Sequence, residues 1–181
     1  MALRKENHMN NVAFLTYNTV GGGLRNGWHD GPDGRRAFVL QNDSGNRWAV
    51  EDLFQDPTTI PEGYSRGSKT NVDHVRGKID GLWGQLQEVL ADLDHVVVYV
   101  GASGSERAIV LAAQLPASKV TFVGCDCNLP VKELLIQSAG LAEAGRVLCE
   151  CGGRQTMRKL FDNFLASGEL RPRASVTDMA L

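Results

Sequence analysis

All four cysteines of this chain fall in two C-x-C pairs, Cys125/Cys127 and Cys149/Cys151. In extended backbone, residues two apart face the same side, so each pair would present its thiols together. Four thiolates brought to one place have the donor set of a tetrahedral zinc site or an iron–sulfur cluster. That reading requires the two strands carrying the pairs to be neighbours, with all four sulfurs on one side. The spacing is not the C-x2-C of a zinc ribbon, and Asp126 and Glu150, alternating with the thiols, have no part in such a site. The competing reading is that the cysteines are small buried hydrophobes at strand ends.

Two glycine-bearing turns offer a different chemistry. Gly101-Ala102-Ser103-Gly104-Ser105 follows one apolar run, and Cys151-Gly152-Gly153-Arg154 follows another. Turns of this kind lead into helices whose first N–H groups and dipole favour anions. Ser103, Gly104 and Ser105, with Gly152, Gly153 and Arg154, are therefore candidates for holding a phosphorylated small molecule. The first turn lacks the lysine of a P-loop and the three spaced glycines of a dinucleotide fingerprint. Read plainly, it is a tight strand-to-helix turn with a serine cap.

A third set is basic. Arg66, Lys69, Arg76 and Lys78 follow a segment rich in small residues and lead into a long helical pattern, an arrangement that can lie against the phosphates of RNA. A solvated loop with capping residues accounts for the same composition. His29, His74 and His95 match no metal or catalytic spacing and are read as surface or hydrogen-bonded residues.

The elements that must position these groups follow from periodicity. Val12 to Tyr17, Ala37 to Leu40 and Trp48 to Val50 are short β-prone runs, read as three strands of an antiparallel meander. Val72, Val75, Ile79, Leu82, Leu86, Val89 and Leu93 recur every three or four residues, predicting a long helix behind a capping box at Thr70 and Asp73. Beyond Asp94 the apolar runs His95 to Val100, Val120 to Val123 and Arg146 to Cys149 alternate with helical patterns. These patterns carry Ala108/Leu111/Ala112/Leu115, Leu134/Leu135/Ser138/Leu141 and Leu160/Phe161/Phe164/Leu165. Alternating strand and helix predicts parallel strands covered on both faces. Val97, Val98, Val100, Phe122, Val123, Val147 and Leu148 should then be nearly inaccessible.

The fold class expected is an α/β three-layer domain with a mixed sheet, an antiparallel N-terminal meander followed by parallel strand-helix units. Residues 1–10 read as a disordered or cloning-derived start, 11–167 as the domain and 168–181 as a tail. With 181 residues, 43% apolar and 22% charged, the composition is that of a globular domain, and a net charge of −2 gives no global attraction to nucleic acid. No apolar stretch reaches the roughly 18 residues of a membrane span and no signal peptide is evident, so a cytoplasmic location and no membrane partner are expected.

The order of elements from Ala37 to Lys78 and from Gly101 to Phe164 resembles the RNase H-like topology, chiefly the middle domain of eukaryotic-type peptide release factors and their bacterial relatives. The resemblance implies an RNA-binding or ribosome-associated module that uses Arg66, Lys69, Arg76 and Lys78. That family's Gly-Gly-Gln loop is replaced by Arg66-Gly67-Ser68-Lys69, so peptidyl-tRNA hydrolysis is not implied. The opening strand, the loop Gly27-Trp28-His29-Asp30-Gly31 and the Gly101 turn are also similar to NifX-type nitrogenase accessory domains, which would make the chain an iron–sulfur cofactor carrier. A phosphate- or nucleotide-binding enzyme or sensor is the third reading.

Overall fold

In the computed structural model the residues described are 9–17, 25–42, 83–100, 106–127, 129–149 and 154–170. They form one six-stranded sheet with helices on both faces. Its strands are β1 (Asn11–Tyr17), β2 (Gly27–Asp30), β3 (Arg36–Asn42), β4 (His95–Tyr99), β5 (Val120–Gly124) and β6 (Gly145–Leu148). The helices are α1 (83–89), α2 (Glu106–Ala112), α3 (Leu129–Ser138) and α4 (Arg154–Ser167). No helix among the described residues is long and apolar enough to cross a membrane.

The sheet order is β2-β3-β1-β4-β5-β6. Only β2 and β3 are antiparallel; every other neighbouring pair is parallel. The mixed α/β domain expected from the sequence is thus present, with its antiparallel pair in the first part and parallel strand-helix units after it. The pairing within the first part differs from the meander. The runs at 12–17 and 37–40 lie parallel, Phe14 beside Val39, and the antiparallel partner of β3 is Gly27–Asp30, which reads as loop in the sequence. Hydrophobicity on both faces explains the arrangement, since Val12, Ala13, Phe14 and Leu15 are all at most 1% exposed. Such a strand must be covered above, below and on both edges, which places it at the sheet centre with parallel neighbours.

The β2–β3 hairpin closes through a short turn at Pro32–Gly34, where Asp33 and Gly34 have positive φ. Gly34 adopts this conformation without a side-chain penalty. Arg35, nearly buried, donates from its guanidinium to the carbonyls of Leu165 and Ala166 at the end of α4. That satisfies helix carbonyls left without partners and places a cation at the negative end of the dipole.

Alternation along each strand builds two cores. On one face Ala13, Leu15, Phe38, Leu40, Val96, Val98 and Phe122 meet Trp83 and Leu86 of α1, Ile109 of α2, and Leu135 and Ile136 of α3. On the other, Val12, Phe14, Val39, Val97, Tyr99 and Val123 meet Met157, Leu160, Phe161 and Phe164 of α4. Phe14 is central there, with its ring edge-on to Phe161 at 5.5 Å and tilted to Phe164 at 6.1 Å. Met9 and Leu170 pack against the same cluster.

Of the predicted core, Val97, Val98, Val100, Phe122 and Val123 are buried, as is Leu86. Two expectations fail. Leu148 is 66% exposed and Val147 only half-buried, because β6 is the sheet's outer strand and has a neighbour on one side alone. In α3 Leu129, Lys132, Leu135 and Ile136 are buried; of the expected pattern Leu135 and Leu141 are buried, while Leu134 is 57% exposed. Within the run Leu134-Leu135-Ile136 the buried pair is Leu135 and Ile136, not Leu134 and Leu135. The expected strand at 48–50 and the helical stripe from Val72 to Leu82 lie outside the described residues.

Candidate functional site at the carboxyl rim of the sheet

The five parallel strands end on one rim, at Tyr17, Asn42, Tyr99, Gly124 and Leu148. From β1 the chain goes outward to β2 and β3 on one side, and from β4 it goes to β5 and β6 on the other. The line between β1 and β4 is therefore a topological switch point, the position beside which ligands of open α/β sheets bind. The segments leaving the two strands are both glycine-rich in sequence: Gly21-Gly22-Gly23 lies beyond β1, and Gly101 to Ser105 joins β4 to α2.

The ends of β4 and β5 are held together tightly. The Val100 N–H donates to the Val123 carbonyl at 2.8 Å, and a Cβ on Gly124 would come within 2.7 Å of Val100 Cγ2 and 2.8 Å of Leu129 Cγ. Only glycine lets the first residue of α3 and the end of β4 close over the tip of β5. The chain then turns. Leu129 N–H donates to the Cys125 carbonyl at 3.0 Å, and Asp126 and Cys127 occupy the intervening turn, both exposed. Asp126 is thus an exposed carboxylate directly beyond the strand adjoining β4.

Helices α2, α3 and α4 each follow a strand of the parallel set and begin on this rim, at Glu106, Leu129 and Arg154. Arg154 is the first residue of α4. Ser103, Gly104, Ser105, Gly152 and Gly153 lie outside the described residues, as do Arg66, Lys69, Arg76 and Lys78 of the basic set.

The cysteines stand at the same rim. The strands that carry them are neighbours, Gly124 lying beside Leu148, and Cys149 N–H donates to the Gly124 carbonyl at 3.0 Å. The pair Cys125/Cys127, however, is not extended. Cys125 is 4% exposed, and Cys127 is exposed in the turn, so the premise that residues two apart face one side does not hold there. Cys149 is half-buried, and Cys151 lies outside the described residues. Among the described residues no three His, Cys, Asp or Glu side chains are grouped to hold a metal ion.

The opposite rim carries the other polar groups. His95, nearly buried, has its Nε2 2.7 Å from Thr121 Oγ1, and burial pushes its pKa down from 6.5 to about 4. Asp94 accepts from the N–H groups of Asn10 and Asn11 at 2.7 and 3.1 Å. Arg146 reaches Glu133 through two nitrogens at 3.1 and 3.3 Å and lies over the Phe122 ring. His29, on β2, has its Nε2 2.8 Å from the Arg25 carbonyl and its ring edge-on to Phe161. The reading of His29 and His95 as hydrogen-bonded residues agrees with these positions; His74 lies outside the described residues.

In the sequence Asp126 reads only as part of the rim segment Cys125-Asp126-Cys127-Asn128, without a role of its own; its signal is an acidic residue directly beyond an apolar strand. Comparison with protein families, with curated proteins and with solved structures finds no match.

Proposed function

We propose that this domain binds a ribonucleoside phosphate at the carboxyl rim, across the ends of β4 and β5. One observation carries the reading: crossover direction reverses between β1 and β4, and the segment leaving β4 at that point is Gly101-Ala102-Ser103-Gly104-Ser105. What supports the reading there is residue type alone, two glycines with the hydroxyls of Ser103 and Ser105, since residues 101–105 lie outside the described residues. Asp126 supplies the acceptor for ribose hydroxyls, the role an acidic residue takes beyond the second strand of such a unit.

The RNA-binding reading rests on Arg66, Lys69, Arg76 and Lys78, outside the described residues, and the metal reading on a thiol cluster that the described residues do not assemble. No observation in the structure favours either over the nucleotide reading.

The experiment is a melting-temperature measurement across ribonucleoside mono-, di- and triphosphates and their 2′-deoxy counterparts. A ligand at 100 times its Kd adds about 2.7 kcal/mol of stability, a readily measured shift. Asp126→Asn should weaken the ribonucleotide about tenfold, or about 1.4 kcal/mol, and leave the deoxy analogue little changed. No shift with any of them would leave the glycine turns as structural connections.

A further inference from the structure

We draw no further inference here: the strongest candidate, the outer edge of the sheet along β6, where Leu148 stands exposed together with Val131 and Leu134 of the preceding helix α3, carries nothing because nothing in the structure shows what covers it.

Discussion

The two rims of the sheet are built from different materials. At the amino rim, polar side chains close on neighbouring strands and on α3: His95 on Thr121, Asp94 on the backbone of Asn10 and Asn11, and Arg146 on Glu133. At the carboxyl rim, helices begin, Gly124 leaves no room for a side chain, and Asp126 stands exposed. Bonds that satisfy polar groups within the fold use up their capacity to meet a ligand. Under the proposed reading, stability belongs to the amino rim and recognition to the carboxyl rim, where Asp126 is exposed.

The largest effect should come from the amino rim in acid. His95 is held neutral, its pKa lowered from 6.5 to about 4 by burial. The unfolded chain therefore binds a proton that the folded chain does not between those values. The stabilisation is fully present above pH 6.5 and is lost as pH falls toward 4. A shift of that size corresponds to a loss on the order of 3 kcal/mol. Urea unfolding of the parent and of His95→Gln at pH 4.5 and 7.5 should show a smaller pH dependence in the variant. Equal pH dependence would mean that the lost stability lies in other groups.

A smaller effect is expected where the two roles meet. Gly124→Ala drives a methyl against Val100 and Leu129 and should cost about 1–3 kcal/mol. Because those residues align the ends of β4 and β5, the variant should also weaken ligand binding in protein that is still folded. Unchanged affinity with reduced stability would place the recognition site away from the β4–β5 junction.

How much of this was legible in the sequence follows from the range of the interactions. The run Val96 to Val98, apolar at every position, identified a strand buried on both faces, and the alternation after Asp94 identified the parallel units. Strand β2 was hidden because Gly27 and Asp30 are turn residues by type, and only its pairing with β3 makes it a strand. The parallel relation of β1 to β3 is equally non-local, fixed by where the chain goes between them and not by either run. Leu148 was misjudged because an edge strand and a central one share the same local pattern. For the site, Gly101 to Ser105 reads in the sequence as a helix-entry segment, and residues 101–105 lie outside those described. Asp126 became meaningful only once β5 was seen to adjoin β4.

The most direct test is a nucleotide titration followed by backbone amide NMR, with the ribonucleoside triphosphates supplied one at a time. The account expects at least one of them to shift amides at 100–106, 124–128 and 149–155, while those at 94–96, 120–121 and 145–146 stay in place. Shifts concentrated on the amino rim, or an unchanged spectrum with every nucleotide, would contradict the assignment of recognition to the carboxyl rim.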